Sequence, residues 1–556
     1  MRRTKAQRNR ACLLPAFVAG LVSCLSTTAA PRDPTPPIAA QPADWFEDVT
    51  ARAGIDFVHR FCHERIANIL LSNGAGGAVF DFDHDGWMDV YLVNWSALPG
   101  VTDPQVACPP GGNRLFRNCG DGTFQDVTRR AGLAGSEFGS AAVSGDFDND
   151  GLTDLYVVNI GRSRLYRNRG DGTFQDVTDA AGVGHTGTGI AATFFDADND
   201  GHLDLFLANY LTYRPQAQSE QNPGAYPGPL AYVGEANVFY HNKGDGSFED
   251  LTKAAGLSTS ANRAMSVAAF DADGDGDVDL YICNDDTPNQ LWINDGQGHF
   301  HDRAVEAGVA FNSIGEAPGS MNAAVGDATG DGRPDLFVTR FGYGSFYVQR
   351  DEHLYEDRLY RSGLGLLTRK YVGWGGAFLD FDNDADLDLV VANGSAFVLE
   401  GTGALLLENE RTGTFTDASA RGGGCFRARV NGRGNAVLDF DNDGRLDVLL
   451  TALADRPFLL RNRGASSHHW LKLNLQGSRS NRSGYGARVR LMSDGLTLVA
   501  QAWCPTGFLC QGDPRVHFGL GSRSRIDALE VLWPSGTRQV LKDIPADQIL
   551  EVHEPP

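Results

Sequence analysis

The sequence lacks an excess of basic residues, any long apolar run after its first thirty residues, and any short catalytic signature. Its 556 residues carry 48 Lys and Arg against 70 Asp and Glu, a formal net charge of −22. Nucleic-acid binding needs a basic face, so we expect no nucleic-acid partner. Beyond the first thirty residues, no apolar stretch approaches the ~20 residues of a membrane span. No HExxH motif, P-loop or GxSxG elbow occurs, so no catalytic residue and no organic cofactor is predicted.

Residues 1–30 are predicted to be a signal peptide, because five basic residues precede a short apolar stretch. Two cleavage sites compete. Leu21–Cys24 resembles a lipobox, which would leave Cys24 lipidated, whereas Thr28–Ala30 resembles an ordinary cleavage site. A Pro/Ala-rich tether follows at 31–43. We therefore expect an exported protein, extracellular or on the cell envelope, whose contact with a membrane would be a lipid anchor at Cys24.

Seven of the nine cysteines follow the leader. The spacings of Cys108 with Cys119 and of Cys504 with Cys510 are short enough for pairing, but the sequence does not fix the connectivity. Export permits disulfides. An odd number leaves at least one thiol without a partner in the chain, and the absence of CxxC argues against a thiolate zinc site.

One motif, Asp-x-Asp-x-Asp-Gly-x-x-Asp followed by an apolar strand, organises the chain. Seven copies with a mean spacing of about 60 residues begin at Asp81, Asp146, Asp196, Asp271, Asp327, Asp380 and Asp439. A second signature, Gly-Asp-Gly-Thr-Phe-Gln-Asp-Val-Thr, spans 120–128 and 170–178, with a close variant at 244–252. Repeats of this length that consist of short strands and glycine turns indicate β-propeller blades.

The two ends of the repeat region carry complementary halves of a repeat. Residues 45–50 contain the end of the second signature without its beginning, and the seventh repeat lacks that end. A strand from the N-terminus that completes the last blade would remove the open sheet edges. The predicted fold is all-β: a seven-bladed propeller over 44–465, then a small β-domain over 466–556. An open β-solenoid, the alternative, does not explain the split signature.

The aspartates of each motif form the oxygen-rich ligand set that Ca²⁺ prefers. Carboxylates stand at positions 1, 3, 5 and 9, a backbone carbonyl is available at position 7, and glycine at position 6 allows the turn. EF-hands begin in the same way but need a Glu at position 12, which here is apolar. We expect up to seven structural Ca²⁺ ions; the alternative is a solvated acidic turn without metal.

The predicted ligands are Asp81, Asp83, Asp85 and Asp89 in loop 1; Asp146, Asp148, Asp150 and Asp154 in loop 2; Asp196, Asp198, Asp200 and Asp204 in loop 3; Asp271, Asp273, Asp275 and Asp279 in loop 4; Asp327, Thr329, Asp331 and Asp335 in loop 5; Asp380, Asp382, Asp384 and Asp388 in loop 6; and Asp439, Asp441, Asp443 and Asp447 in loop 7. Loop 5 should be the weakest, because Thr329 replaces a carboxylate. Loop 6 should be strained, because Ala385 replaces the glycine.

These repeats resemble FG-GAP/VCBS repeats, the calcium-loop blades of integrin α-subunit propellers. The C-terminal segments His469–Leu471, Ser480–Val489, His517–Gly521 and Trp533–Gly536 resemble the ASPIC/UnbV domain. The whole arrangement is similar to the cartilage acidic protein family. That resemblance implies an exported calcium-loop propeller, with animal members in the extracellular matrix. The name UnbV comes from enediyne biosynthetic clusters, which keeps a metabolic role open.

Two functions follow from these patterns. The first is a binding or adhesion module for a protein or glycan. The second is an enzyme with its site in the propeller channel or under the 211–236 loop. Candidate contact residues outside the acidic loops are Tyr210, Tyr213, Tyr226 and Tyr232 and the polar stretch 283–289. His299 and His301 are candidate metal ligands, with plain solvated histidines as the alternative. A deep pocket of unused carboxylates and histidines would favour the enzyme, and an aromatic-rimmed face would favour binding. The oligomeric state stays open.

Overall fold

A computed structural model describes residues 34–41, 43–108, 112–135, 137–215, 226–258, 262–464, 467–504 and 507–556. The predicted signal peptide with Cys24, the start of the tether and residues 216–225 of the 211–236 loop lie outside these ranges. Within them, no helix combines the length and the hydropathy of a membrane span.

Each repeat forms a four-stranded antiparallel unit in which an acidic loop joins the first strand to the second. In unit 2, the first strand and most of the second are buried, because neighbouring units cover both of their faces. The strands, numbered along the chain, are β2 Gly77–Phe80, β3 Asp89–Leu92, β4 Arg114–Asn118 and β5 Phe124–Asp126 in unit 1; β6 Phe138–Gly145, β7 Asp154–Arg162, β8 Arg164–Asn168 and β9 Phe174–Asp176 in unit 2; β10 Thr186–Phe195, β11 Asp204–Asn209, β14 Val238–Asn242 and β15 Phe248–Asp250 in unit 3; and β16 Ala264–Phe270, β17 Asp279–Asn284, β18 Gln290–Asn294 and β19 Phe300–Asp302 in unit 4.

The later units are β20 Ser320–Gly326, β21 Asp335–Arg340, β22 Ser345–Asp351 and β23 Leu354–Asp357 in unit 5; β24 Gly373–Leu379, β25 Asp388–Asn393, β26 Leu405–Asn409 and β27 Phe415–Asp417 in unit 6; and β28 Gly432–Leu438, β29 Asp447–Ala452, β30 Phe458–Asn462 and β1 Phe46–Asp48 in unit 7. A small pair, β12 Leu211–Thr212 and β13 Val233–Gly234, extends unit 3. The helices are short: α1 Ile69–Asn73, α2 Thr128–Ala131, α3 Thr178–Ala181, α4 Leu364–Thr368, α5 Ser419–Gly422 and α6 Gly424–Arg427, with a 3₁₀ turn at Pro229–Ala231.

The N-terminal strand completes the last unit. β1 pairs antiparallel with β30, so that Phe46 lies opposite Asn462, which is the arrangement that the split signature predicts. Units 2 and 3 are joined further by pairing of Thr186–Thr188 with Ile160–Arg162. The all-β, propeller-like class is confirmed, while the number of seven blades stays a prediction.

Phenylalanines pack between neighbouring units. The residue after the first aspartate of a loop contacts the fourth strand of the next unit: Phe82 with Phe174 at 6.1 Å between ring centroids, and Phe147 with Phe248 at 5.8 Å. These rings are buried, and their packing adds to the apolar area removed from water between units.

The C-terminal region forms two further sheets around its own core. Its strands are β31 His469–Gln476, β32 Arg488–Ser493, β33 Leu496–Gln501, β34 Cys510–Gln511, β35 Val516–Gly521, β36 Arg525–Leu532, β37 Arg538–Pro545 and β38 Gln548–His553.

One segment of this region enters the middle of the repeat units, and we call it the central insert (residues 502–504 and 507–513). Cys510 pairs in parallel with Gly77 of unit 1. Phe508 packs on Trp374 of unit 6 at 5.2 Å between ring centroids, and the Gln511 Oε1 accepts a hydrogen bond from the Ser144 backbone of unit 2. The insert therefore occupies the centre of the repeat region, where the enzyme hypothesis places an open channel.

The disulfide differs from both short-spacing pairs considered above. Cys108 pairs with Cys62, 46 residues away. Cys119 is free and exposed, and Cys504 and Cys510 are free and buried. The chain before unit 1 brings Cys62 next to Cys108, a contact that sequence spacing does not encode.

Candidate functional site

Each acidic loop is folded by hydrogen bonds to its own aspartates. In loop 2, the Asp146 carboxylate accepts from the backbone N–H of Asp150 at 3.1 Å and of Gly151 at 2.8 Å. The Asp150 carboxylate accepts from Leu152 at 2.9 Å. The glycine at position 6 has a φ of +87°. Ala385 of loop 6 adopts +77°, a conformation that costs a residue with a Cβ about 1 kcal/mol.

The ninth residue of each motif ties the loop to the third strand of its unit. Asp154 Oδ2 accepts from the Phe147 backbone at 3.2 Å, and its Oδ1 accepts from the Asn168 backbone at 2.7 Å. The equivalent bond to the third strand is present in all seven units. These aspartates are buried, which raises the pKa of Asp154 well above its usual value.

The third strand of each unit then reaches the acidic loop of the preceding unit through one side-chain amide. Asn168 donates from Nδ2 to the Phe82 carbonyl of loop 1 at 2.8 Å. The same bond joins every successive pair: Asn242 to Phe147, Asn294 to Ala197, Gln349 to Ala272, Asn409 to Ala328, Asn462 to Phe381, and Asn118 to Phe440. Sequence reasoning missed this ring of amides. Its signal is an Asn or Gln at the end of the third strand, in most units two residues before a glycine.

The structure brings the predicted ligands together. Within the described residues, potential ligand atoms lie within 4.8 Å of one another in groups that could hold a metal ion. These groups include Asp81, Asp83 and Asp85; Asp146, Asp148 and Asp154; Asp196, Asp198 and Asp204; Asp198, Asp200 and His241; and Asp271, Asp273 and Asp279. In loops 5, 6 and 7, the first aspartates (Asp327, Asp380 and Asp439) accept from the backbone N–H groups of positions 5 and 6, as in loop 2.

One oxygen at position 3 has no hydrogen-bond partner in four of the loops. These atoms are Oδ1 of Asp83, Asp148, Asp198 and Asp441, and all are buried; Oγ1 of Thr329 is in the same condition. A buried oxygen without a donor costs about 1–3 kcal/mol. A hard cation would satisfy it, so the residues present fit a metal such as Ca²⁺.

Burial also disfavours the charged form of these loops without a cation. Desolvation, then the neighbouring aspartates, raises the pKa of Asp196 to about 8. In loop 2, burial is again the largest cause, and the pKa of Asp146 rises to about 7. A bound cation would oppose both effects, because it pairs with the carboxylates.

Basic side chains already reach some of the loops. Arg167, the residue before Asn168, lies 2.6 Å from Asp148 and 2.9 Å from Asp150. Arg117 pairs with Asp83 and Asp85 of loop 1, and Arg461 pairs with Asp441 of loop 7. In loop 3 the equivalent strand position is occupied by His241, whose Nδ1 lies 3.1 Å from Asp204. The hydrogen bond to Asp204 raises the pKa of His241 to about 9. Sequence reasoning missed these residues.

Loop 4 has no such basic partner. The residue next to its amide is Ile293, and within the described ranges no ion pair joins an Arg, Lys or His to Asp271, Asp273, Asp275 or Asp279. Loop 4 is therefore the acidic loop with the least internal charge compensation.

The C-terminal domain lies on the face of the repeat units that carries the acidic loops. Lys472 of β31 places its Nζ 2.7 Å from Asp439 of loop 7, and neither side chain is accessible to solvent. Asp513 lies 3.6 Å from the same Nζ and is paired with Arg515 at 2.7 Å. His517 lies 3.2 Å from the Gly444 carbonyl. Burial lowers the pKa of His517 to about 4, so this histidine is neutral.

On the opposite face, the tyrosine-rich loop and the polar stretch 283–289 meet. The Tyr210 hydroxyl donates to Asp285 at 2.5 Å, and Arg263 donates to the Tyr232 carbonyl at 2.6 Å. Tyr226 donates to the Ala396 carbonyl of unit 6 at 2.6 Å. The described parts of the loop thus reach from unit 3 to unit 6 as a packed cover. His299 is exposed and lies 3.3 Å from Asp295.

An exposed apolar patch lies on this face, on units 5 and 6. We call it the aromatic rim: Phe341, Tyr343, Tyr360, Leu366, Phe397 and Val398, each between 44% and 68% exposed. Phe341 contacts Phe397 at 5.9 Å between ring centroids, and Tyr343 contacts Tyr360 at 6.2 Å. Tyr343 and Phe397 follow the second strands of their units, whereas the acidic loops precede those strands.

Acidic loops on repeated four-stranded units, with a separate β-domain against them, define a propeller-like repeat protein. The FG-GAP-like repeat family matches residues 81–157, 146–207, 230–282, 271–338 and 380–450, together more than half of the chain. The chain belongs to this family. The ASPIC and UnbV family matches residues 477–556.

Among curated proteins, the chain is similar to "Cartilage acidic protein 1" of Mus musculus, with 26% identity over 324 residues, which cover 55% of this chain and 47% of that protein. The Homo sapiens protein of the same name is 24% identical over 330 residues, covering 57% and 40%. The chain thus spans about half the length of the curated relatives that it matches, and their names state no reaction.

Two solved structures are similar over a large part of the chain. One is YCF48 bound to D1 peptide, at 10% identity and a TM-score of 0.41, covering 77% of this chain and 98% of that one. The other is an Agrocybe aegerita lectin that recognises non-reducing terminal N-acetylglucosamine, at 14% identity and a TM-score of 0.38, covering 68% and 85%.

Proposed function

We propose that this protein is an exported, calcium-binding β-propeller that acts as an extracellular or surface-anchored binding and adhesion module. The aromatic rim carries this proposal. Contiguous exposed apolar patches on a soluble protein mark interaction sites, and Tyr and Phe are enriched where partners dock. The rim lies on rigid units, so a ligand would meet a preformed surface. The ligand is a protein or a glycan.

Calcium would support binding indirectly, by stabilising the repeat units that carry the aromatic rim. The unpartnered position-3 oxygens favour a cation in the loops, up to seven Ca²⁺ ions in all. Since each loop is hydrogen-bonded to the next unit through the ring of amides, an ion in a loop would stiffen the junction between two units. The aromatic rim lies on the other face, so calcium would act on binding through the fold.

Export to the extracellular space or the envelope surface rests on the leader sequence and on relatives named for cartilage. Lipid anchoring rests on Cys24 alone. A free protein and an anchored one would present the same aromatic rim.

The enzyme hypothesis finds less support. The central insert enters the middle of the repeat units on one side, and on the opposite face the Tyr226 hydroxyl donates to the Ala396 carbonyl of unit 6. The cavity beside the insert is lined by three acids and one histidine, Asp327, Asp380, Asp513 and His517. Asp513 is paired with Arg515, and His517 contacts the Gly444 carbonyl. Asp327 and Asp380 accept backbone hydrogen bonds of their own loops, so all four groups are occupied in structural contacts.

A comparison of variants tests the proposal. Residues 31–556, carrying Phe341→Ser and Phe397→Ser together, would be used with wild type to capture material from the envelope and extracellular fraction in millimolar calcium. Val305→Ser, which changes an apolar residue outside the rim that is at least as exposed as Phe341 and Phe397, is the control. We expect the rim variant to lose a ligand that wild type and the control retain. Equal capture by all three proteins would overturn the assignment of the rim.

A further inference from the structure

A cavity of about 230 Å³ lies between the first strands of units 4 to 7 and the C-terminal domain. Its lining is mainly apolar and includes Val325, Phe378, Val437, Val499 and Trp503. Three acids also line it, but Asp327 and Asp380 accept hydrogen bonds from their own loops and Asp513 is paired with Arg515. The five apolar side chains are only partly buried, although they lie near the middle of the molecule. The cavity leaves part of their apolar surface uncovered, and an apolar ligand would bury it favourably.

A cleft of about 680 Å³ lies beside this cavity, between loop 5 and the C-terminal domain. Four arginines line it, Arg333, Arg488, Arg490 and Arg538, against two acids, Asp331 and Glu530. In a chain with a net charge of −22, this is a local excess of positive charge. We call it the arginine cleft.

The arginines are incompletely paired by these acids. Arg333 lies 2.6 Å from Asp331 but keeps a buried Nε without a partner. Arg538 and Arg490 share Glu530, at 2.8 and 3.8 Å. Arg488 donates to the Gly332 carbonyl at 3.4 Å. Guanidinium groups that keep unused N–H donors favour a planar carboxylate or another oxyanion, which they bind in a bidentate manner.

The cleft and the cavity adjoin, because Gly332, Arg333 and Val499 line both. Together they have the size of roughly 300–1,000 Å³ that is typical of small-molecule sites, and they lie between domains, where such sites concentrate. A site with a charged mouth and an apolar interior selects a ligand that has one charged end and an apolar body.

We propose that the cavity and the arginine cleft form one binding site for an amphipathic organic anion. The apolar body of the ligand occupies the cavity, and its carboxylate lies among Arg333 and Arg488. An inorganic anion would leave the apolar lining uncovered, and a neutral apolar molecule would leave the arginines unpaired. This site is separate from the aromatic rim and does not depend on the proposed adhesion function.

Calorimetric titration of residues 31–556 with octanoate tests the proposal, with 1-octanol as the uncharged ligand of the same chain length. We expect saturable binding of one octanoate per chain and at least tenfold weaker binding of octanol. Arg333→Gln with Arg488→Gln should weaken octanoate binding at least tenfold. Arg525→Gln, which changes an exposed arginine of the same domain outside the cleft, should leave it unchanged.

A second variant probes the cavity itself. Ala377→Leu adds volume to the lining and should abolish octanoate binding in a protein whose melting temperature stays near that of wild type. No binding of octanoate to folded wild type, octanol binding as tight as octanoate binding, or an unchanged affinity of the double arginine variant would each overturn the proposal.

Discussion

Asn118 donates a hydrogen bond from its side-chain Nδ2 to the backbone carbonyl of Phe440 at 2.8 Å, although 322 residues separate the two in sequence. The bond joins the third strand of unit 1 to loop 7, and thus the first repeat to the last. Six equivalent bonds join the other neighbours, so each acidic loop is fixed both by its own unit and by the next.

Replacing Asn118 with Ala should lower the free energy of unfolding by about 1–3 kcal/mol, because the buried Phe440 carbonyl would lose its donor. Urea unfolding measures this change. Gln125→Ala, on an exposed position of the next strand, is the control and should stay within about 0.5 kcal/mol of wild type. A loss of the same size in both variants would contradict the role of the amide ring.

Replacing Lys472 with Met should destabilise the protein by about 3–5 kcal/mol, because Asp439 would remain buried without its partner. Adding Asp439→Asn should recover part of this loss, since it removes the unpaired charge. Thermal unfolding of the single and double variants measures the coupling. A double variant less stable than either single variant would argue against a direct pair.

Glu554 should make the C-terminal domain sensitive to acid. Although burial opposes it, hydrogen bonds from the Ser535 hydroxyl and from three backbone N–H groups lower the pKa of Glu554 to about 2. A carboxyl whose pKa is lower in the folded state contributes stability above its unfolded value, near 4.5, and that contribution is lost as the pH falls toward 2.

The variant Glu554→Gln should therefore be less stable than wild type at pH 7, and the difference should shrink between pH 4.5 and pH 2. Chemical unfolding across this range measures it. Glu551→Gln, on an exposed position of β38 three residues before Glu554, serves as the control. A constant difference between Glu554→Gln and wild type at every pH would contradict the assignment.

The sequence predicts the loops, the repeat unit and the N-terminal strand of unit 7, because each depends on neighbouring residues or on a motif split between the ends. It does not predict the contacts that cross the molecule. Nothing local to Lys472 points to Asp439, and nothing near Cys108 selects Cys62 over Cys119. Phe341 and Phe397 form the aromatic rim only because two loops in different units are brought side by side.

The site was also only partly predictable. The twenty-eight loop residues follow from the motif, whereas Arg117, Arg167, Arg461 and His241 belong to third strands that return to the loops after a variable connection. The central insert is remote from the repeats in sequence, so its entry into their middle depends on packing between domains.

Calcium-dependent stability tests the account most directly. Thermal unfolding of residues 31–556 would be followed in about 1 mM Ca²⁺ and in chelator, for wild type and for Asp273→Asn in loop 4. With an affinity near 10⁻⁴ M, each occupied loop contributes about 1.4 kcal/mol. We predict that calcium raises the melting temperature of wild type. Asp273→Asn should lose one loop's share of this gain and match wild type in chelator. A wild-type melting temperature that is the same in calcium and in chelator would contradict the account.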